Sequence, residues 1–264
     1  FMLKVYYPSD LQPQETEILR FEDRETGDCT VQPHFDYPHA YLAELPSKLT
    51  ATGVGRGYRA DEAAEQTPPP RKEVQLRAPL FEQGEKKLTP AEIGTAHHLF
   101  MQFCDFDAAC VPNGVENELN RLAEKKILST EQAYAVDKRK IERFFASDLY
   151  KTFMAENKVR REFKFSVLVP AQAYFPVAAD APEENVLLQG VIDCLIETGD
   201  GFVILDFKTD RIKKGGAVER AEQYRPQLAA YARAVHEIYG RPVRACVLYF
   251  FHTGDTEWVS LDET

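Results

Sequence analysis

The chain has 264 residues and a formal net charge of -10, with 28% charged and 44% hydrophobic residues. This composition excludes an intrinsically disordered chain, and no run approaches the roughly 20 apolar residues of a membrane-spanning helix, so we expect no membrane partner. The excess of acidic residues argues against a nucleic-acid partner because Lys and Arg usually contact phosphates, although net charge does not describe local patches.

The cysteines are odd in number and have no C-x-x-C spacing, which argues against a disulfide framework and against a zinc or iron–sulfur site. They are Cys29, Cys104, Cys110, Cys194 and Cys246. The sequence does not begin with a basic segment followed by an apolar one, so no secretory signal is predicted. We therefore expect reduced thiols and a cytoplasmic protein.

Two N-terminal stretches, residues 1–52 and 53–87, precede the clearest secondary-structure patterns. The first mixes short apolar runs with Pro and Asp turns, and we interpret it as an accessory segment. The second contains the runs GVGRG and PPP, a composition typical of a linker. We therefore place a domain boundary here and assign residues 88–264 to the main domain.

The main domain is predicted to begin with helices. Thr89 can cap a helix N-terminus, Pro90 suits the first helical position, and Glu92 has the spacing of a capping box. These signals predict a helix from residue 90 to about residue 104. A helical block is predicted where apolar residues recur at a spacing of three and four, over residues 116–127, 130–145 and 147–157.

Strands are predicted next, where the apolar pattern changes to period two or to continuous runs. Three such segments cover residues 159–169, 186–197 and 202–207, the last two joined by a tight turn. A long helix over residues 217–239 ends at Gly240, and strands are predicted over residues 243–251 and 257–260. The order helix, three-stranded meander, helix, strand predicts an α/β core with an added helical block.

Two acids and a lysine carry the clearest chemical signal. Asp193 and Asp206 lie on consecutive predicted strands, so antiparallel pairing brings them together, and Lys208 shares a face with Asp206. Two carboxylates with little water between them favour a hard divalent cation such as Mg²⁺, which can promote phosphodiester hydrolysis beside a lysine. The alternative is a surface ion pair, but both acids interrupt apolar strands, where an unpaired carboxylate is costly.

Four blocks of the sequence, in order, resemble the PD-(D/E)XK nucleases, and more closely the C-terminal nuclease domains of AddA and RecB type helicase-nucleases. The blocks are residues 88–98 (with LTPAE and GTAHH), 190–193 (GVID), 205–211 (LDFKTDR) and 224–231 (YRPQLAAY). The resemblance implies the restriction-endonuclease-like α/β core of that superfamily.

The resemblance also implies roles for individual residues. Asp193, Asp206 and Lys208 match the catalytic residues, and Mg²⁺, with Mn²⁺ as an alternative, would be the cofactor. The implied metal ligands are His98, Asp193, Asp206 and the backbone carbonyl of Phe207. Further residues would support the site or contact DNA, namely Glu162 at the start of the first core strand and Gln227 with Tyr231 in a Q-x-x-x-Y motif.

Several of these roles have alternatives. His97 lies at helical spacing from apolar residues and could be the buried histidine of the pair, so only the resemblance selects His98. Gln227 and Tyr231 share a helical face, which suits DNA contact, support of Lys208 or plain packing. Cations at or directly after the proposed metal site are candidates for contact with the phosphate backbone, namely Lys208, Arg211, Lys213 and Lys214.

The function implied is a metal-dependent DNA nuclease, an exonuclease acting on single strands produced by an attached helicase in double-strand-break repair and recombination. The chain has no G-x-x-x-x-G-K-[ST] loop, so we expect the ATP-dependent helicase motor to lie elsewhere in a longer polypeptide. The expected protein partner is a second, AddB-like subunit. The alternatives are a catalytically silent DNA-binding or scaffolding module and a stand-alone nuclease of phage or restriction type.

Overall fold

The computed structural model describes residues 42–43, 45–54, 88–179, 181 and 183–261. The predicted accessory segment lies outside the described residues up to residue 41, and the predicted linker lies outside them from residue 55 to residue 87. The predicted domain boundary stays a prediction.

The first helix of the main domain, α1 (Pro90–Phe103), begins as its capping signals predict. The Thr89 Oγ1 atom accepts a hydrogen bond from the backbone N–H of Glu92, while the Glu92 carboxylate accepts one from the backbone N–H of Thr89 at 2.7 Å. This reciprocal pairing satisfies N–H groups that have no partner within the helix. The predicted capping box is confirmed.

The helical block continues with α2 (Phe106–Ala109), α3 (Gly114–Glu124), α4 (Thr130–Ala135), α5 (Lys138–Ala146) and a π-helix at Leu149–Met154. The prediction of one continuous helix over residues 130–145 is wrong. The chain is extended at Val136, whose side chain is buried, and the backbone N–H of Asp137 donates to the ring of His97 instead of continuing a helix. Tertiary contacts therefore break a helix that the sequence pattern favours.

Within the described residues the sheet has six strands: β1 (Lys48–Thr50), β2 (Lys158–Pro170), β3 (Asn185–Thr198), β4 (Gly201–Lys208), β5 (Val243–Phe250) and β6 (Asp255–Val259). Strand β3 pairs with antiparallel β2 along one edge, and its other edge is shared by parallel β1 near its start and antiparallel β4 near its end. Strand β1 was not predicted, whereas the three-stranded meander is confirmed.

A long helix, α6 (Ala217–Tyr239), connects β4 to β5, which is parallel to it, and β6 returns antiparallel to β5. Parallel neighbours need such a crossover connection. The helix ends at Gly240, whose φ of 61° is the left-handed conformation that glycine adopts without strain. No described helix has the length and apolar character needed to cross a membrane.

Helices cover both faces of the sheet. Leu205 and Phe207 of β4 pack into the core formed with the helical block, whereas Ile204 of β4 packs into the core formed with Leu228 of α6. Because successive side chains of a strand point to opposite faces, Asp206 lies on the face that α6 covers. The α/β class and the added helical block agree with the prediction from the sequence.

Candidate active site

Asp193 and Asp206 lie one step beyond the last residue pair of the β3–β4 ladder, Cys194 and Leu205. The Asp193 Oδ2 atom accepts a hydrogen bond of 2.7 Å from the backbone N–H of Phe207. This bond attaches the side chain of one strand to the backbone of the next. The predicted juxtaposition of the two acids is therefore present where the two strands separate.

Asp206 is almost fully buried, with 4% of its surface exposed. The Lys208 Nζ atom lies 2.7 Å from Asp206 Oδ2 and forms an ion pair with it, and this oxygen has no other hydrogen-bond partner among the described residues. Burial raises the pKa of Asp206, the charge of Lys208 opposes that shift, and the charge of Asp193 adds to it. The site therefore contains a buried carboxylate oxygen paired with Lys208, whose remaining lone pair can accept a second ligand.

His98 lies in the last turns of α1, with its Nδ1 atom 3.4 Å from Asp193 Oδ1. Burial by itself lowers the pKa of His98, but the hydrogen bond and charge of Asp193 outweigh burial and leave the pKa raised. His97 faces away, with Nδ1 2.8 Å from the carbonyl oxygen of Ile93, and burial lowers its pKa. Of the two histidines that the sequence left open, His98 is the one beside the acids.

Two contacts position α1 next to the strands. A Cβ atom on Gly94 would lie only 2.8 Å from Thr209 Oγ1, so the absence of a side chain allows the helix to approach the end of β4. Arg161 of β2 donates hydrogen bonds to the carbonyl oxygens of Met101 and Cys104, at 3.1 Å and 2.5 Å. These carbonyls belong to the last turn of α1, where a cation is favourable. His98 is thereby held against β3.

Gln227 and Tyr231 of α6 form a chain of hydrogen bonds that ends at the lysine. The Lys208 Nζ atom donates to Gln227 Oε1 at 3.3 Å, and Gln227 Nε2 donates to the Tyr231 hydroxyl at 2.7 Å. Both α6 residues are buried, at 8% and 2% exposed. Of the three roles that the sequence allowed, this geometry favours support of Lys208.

Glu162 has a backbone φ of 49°, a left-handed conformation that is uncommon for a residue other than glycine. With His98, Asp193 and Phe207 it lines a small recess at the site. Burial raises the pKa of Glu162, and the charge of Asp193 adds to that shift. The structure therefore brings Glu162 to the predicted site.

The predicted phosphate-contacting cations follow β4 on the loop that leads to α6. This loop begins after Lys208 and carries three exposed cations, Arg211, Lys213 and Lys214. Their side chains are accessible to a polyanion, but they are not part of the buried cluster.

Sequence reasoning missed Tyr224, Asp210 and Arg220. The Lys208 Nζ atom lies 3.9 Å from the centre of the Tyr224 ring, and the Tyr224 hydroxyl donates a hydrogen bond to Asp210, which also pairs with Arg220. One signal could have identified the tyrosine, because Tyr224 precedes Gln227 by three residues and so shares its helical face.

The donor set fits a hard divalent cation in its chemistry. Two carboxylates and a backbone carbonyl are the oxygen ligands that such a cation prefers, and Asp206 Oδ2 is a buried anionic oxygen with no hydrogen-bond partner among the described residues besides the Lys208 ammonium. Over the described ranges, however, no three His, Cys, Asp or Glu side chains are arranged so that they could hold one metal ion together.

The chain is similar in sequence to a known family of proteins. The sequence model described as the PD-(D/E)XK nuclease superfamily matches residues 71–260. A protein of Desulforamulus reducens, by name one subunit of an ATP-dependent helicase/nuclease, is 39% identical, covering 83% of this chain and 18% of that protein. Its counterpart in Moorella thermoacetica is 40% identical, covering 87% of this chain and 17% of that protein.

A third relative of the same name, from Desulforudis audaxviator, is 35% identical over 84% of this chain and 18% of its own length. The chain thus spans less than a fifth of the length of these curated relatives. The resemblance inferred from the four sequence blocks is confirmed by the match over residues 71–260. The chain belongs to the PD-(D/E)XK nuclease superfamily.

Proposed function

We propose that this chain is a divalent-metal-dependent deoxyribonuclease domain that hydrolyses phosphodiester bonds. One observation carries the proposal: the buried Asp206 carboxylate lies with Asp193 just beyond the last pair of the β3–β4 ladder, and one of its oxygens has no partner among the described residues besides the Lys208 ammonium. A structural carboxylate at this depth would have its oxygens satisfied, whereas a ligand to a cation needs a free one.

The residues that would hold Mg²⁺ or Mn²⁺ are Asp193, Asp206, His98 and the carbonyl of Phe207. When bound, such a cation supplies charge neutralisation at the phosphate and makes water more acidic. Lys208 would donate hydrogen bonds to charge that develops on a phosphate oxygen, and its own hydrogen bond to Gln227 supports this role because it orients the ammonium group. The bond from the Phe207 N–H orients Asp193 without help from substrate.

The proposed substrate is single-stranded DNA that an attached ATP-dependent helicase supplies during double-strand-break repair and recombination in the cytoplasm. The names of the relatives support this proposal, and because each name designates a single subunit, the proposed partner is a second, AddB-like one. Arg211, Lys213 and Lys214 are exposed next to the site and would contact the phosphate backbone without regard to sequence. An exonuclease mode is part of the same proposal.

A catalytically silent DNA-binding module is the second candidate. Among the described residues no three ligands are arranged around one point, and this observation favours it. The presence of Asp193, Asp206 and Lys208 in one cluster favours the nuclease, because a silent module has no need for two neighbouring acids, one of them buried, beside a single lysine.

Degradation of single-stranded DNA labelled at either end decides between the two candidates. The full 264-residue chain is compared with Asp206→Asn and Lys208→Ala, in Mg²⁺, in Mn²⁺ and in EDTA. We expect metal-dependent cutting that falls by about a hundredfold or more in both variants, the size of effect seen when one transition-state donor is lost. A circular single strand tests the mode, since an exonuclease leaves it intact.

Asp107→Asn and Lys151→Ala are matched controls, because they make the same chemical changes at exposed positions in the helical block. Both should cut at the parent rate. A parent chain that binds DNA but cuts neither substrate in either metal would overturn the nuclease proposal in favour of the silent module.

A further inference from the structure

The Lys208 ammonium group is surrounded on three sides. Asp206 Oδ2 lies 2.7 Å away, Gln227 Oε1 lies 3.3 Å away, and the centre of the Tyr224 ring lies 3.9 Å away. A cation within about 6 Å of a ring centre is attracted to the face of the ring, and the attraction strengthens when water is excluded. Only 14% of the Lys208 side chain is exposed, so the ring replaces water that would otherwise solvate the charge.

The orientation of the Tyr224 ring is fixed from its other end. The Tyr224 hydroxyl donates a hydrogen bond to Asp210 Oδ2, and Arg220 donates to the Tyr224 hydroxyl and to Asp210, each at 3.2 Å. Burial and, after it, the hydrogen bond to Asp210 raise the pKa of Tyr224 to about 12. The hydroxyl therefore keeps its proton at neutral pH and remains a donor to Asp210.

Residues 209–216 connect β4 to α6 and carry the exposed cations, so we call them the basic loop. Asp210 and Arg220 lie at its two ends. Asp210 follows Lys208 by two residues and precedes the exposed cations, whereas Arg220 lies in the first turn of α6. The Asp210–Arg220 ion pair closes this loop, and Tyr224 contacts both members of the pair and Lys208. One aromatic side chain thus connects the buried lysine to the loop that would meet the DNA backbone.

We propose that Tyr224 is a positioning residue for Lys208: the face of its ring confines the ammonium group beside Asp206, and its hydroxyl connects that arrangement to the basic loop. The role of Lys208 in cleavage rests on the proposed function, but the contact between ring and ammonium does not. A lysine has a flexible four-carbon stem and a compact charge, so without the ring its ammonium group can move away from Asp206.

Two substitutions at Tyr224 separate the ring from the hydroxyl. Tyr224→Leu removes the ring, and we expect kcat for cleavage to fall by about tenfold with KM within about twofold of the parent, since a positioning defect acts on the chemical step. Tyr224→Phe keeps the ring, and we expect kcat within about threefold of the parent. Tyr134→Leu and Tyr134→Phe are matched controls, because Tyr134 is 93% exposed on α4.

A second measurement needs no activity. The chain is labelled with [¹³C]lysine, and the ε-methylene signal of Lys208 is assigned by its absence from Lys208→Ala, in EDTA and without DNA. A ring face over the ammonium group shifts this signal upfield. We expect the upfield position in the parent and in Tyr224→Phe, and a return towards the ordinary lysine position in Tyr224→Leu.

A Lys208 signal at the ordinary position in the parent would overturn the inference, and so would equal losses of kcat in Tyr224→Leu and Tyr224→Phe. An unchanged kcat in Tyr224→Leu would also overturn it. A parent that shows the upfield signal but cuts no DNA would support the contact and would count against the proposed function instead.

Discussion

Glu118 of α3 and Asp206 of β4 are both deeply buried, at 5% and 4% exposed, but their oxygens have different partners. Glu118 accepts hydrogen bonds from Arg121 Nε at 2.7 Å, from Arg121 Nη2 at 2.6 Å and from the backbone N–H of Asp105 at 2.6 Å. The hydrogen bond from Arg121 is the main reason that the pKa of Glu118 is lowered.

Asp206 shows the opposite arrangement. One of its oxygens has no partner among the described residues besides the Lys208 ammonium, and burial raises the pKa of Asp206. A carboxylate that joins structural elements is saturated by fixed donors, whereas one that is kept for a ligand retains a free oxygen. The comparison shows that two acids buried to the same depth differ in how fully their oxygens are bonded, and we propose that the less fully bonded one is the functional acid.

The largest effect that we expect concerns the two site acids together. We expect each of the variants Asp193→Asn and Asp206→Asn to lower the single-turnover cleavage rate by about a hundredfold or more. The rate of the double variant should be only slightly lower than that of either single variant, because the effects of residues that act as a unit are not additive. Glu118→Gln should leave that rate unchanged in every background. Multiplicative losses in the double variant would show that the two acids act separately.

Binding of a divalent cation sharpens the comparison without any substrate. Mg²⁺ should raise the free energy of unfolding of the parent, by about 2.7 kcal/mol at a hundred times its Kd, because it binds only the folded site. The rise should persist in Glu118→Gln and disappear in Asp206→Asn. Thermal unfolding at increasing Mg²⁺ measures it, and an equal rise in all three proteins would place the cation elsewhere.

Glu118, whose oxygens are all hydrogen-bonded, should affect the stability of the fold and not the cleavage rate. Glu118→Gln should lower the free energy of unfolding at pH 7 by about 1.5–3 kcal/mol, the contribution of hydrogen bonds to a charged group. Glu116→Gln is the matched control on α3, since the ion pair between Glu116 and Lys138 is exposed. Loss of this pair should lower the free energy of unfolding by less than about 1 kcal/mol.

The pH dependence of this loss has a definite sign. The pKa of Glu118 is lowered from 4.5 in the folded chain, so its stabilisation is present above that value and is lost as pH falls through the lower, folded pKa. The difference between parent and Glu118→Gln should therefore narrow below about pH 4.5 in urea unfolding experiments. A difference that stays constant down to about pH 3 would contradict this account.

The smallest effect that we expect is on DNA binding, from two exposed lysines of the loop between β4 and α6. Lys213→Ala with Lys214→Ala should weaken binding of single-stranded DNA and reduce the slope of log affinity against log salt by about 0.7 for each phosphate contact removed. Lys125→Ala with Lys126→Ala, at the exposed end of α3, is the matched control. Equal slopes in the two double variants would show that the basic loop does not contact the DNA backbone.

Most of the fold could be predicted because its signals are local. The capping box of Thr89 and Glu92 and the stop at Gly240 involve neighbouring residues, and each is present as predicted. The break at Val136 depends on a core that the helix pattern does not contain. Strand β1 is three residues long and exists through pairing with β3, so no periodicity could indicate it.

The site likewise has features that local sequence predicts and features that depend on tertiary packing. Antiparallel pairing brings Asp193 and Asp206 to neighbouring positions, as the short turn between their strands predicts. The choice between His97 and His98 could not be made from periodicity, because it depends on which side of α1 meets the sheet. Tyr224 was missed since its contact with Lys208 depends on how α6 crosses β4. The catalytic roles themselves stay predictions.

Gly94 sets a limit on how this domain can be engineered. Alanine in its place would favour helix α1 by about 1 kcal/mol, which makes it an obvious substitution in a search for thermostability. The added Cβ atom would meet Thr209 Oγ1 at 2.8 Å, and any relief that moves α1 outward also moves His98, one turn further along, away from Asp193. A substitution that favours the isolated helix would thus enlarge the gap between histidine and carboxylate wherever the clash is relieved by movement of α1 and not by rotation of the Thr209 side chain.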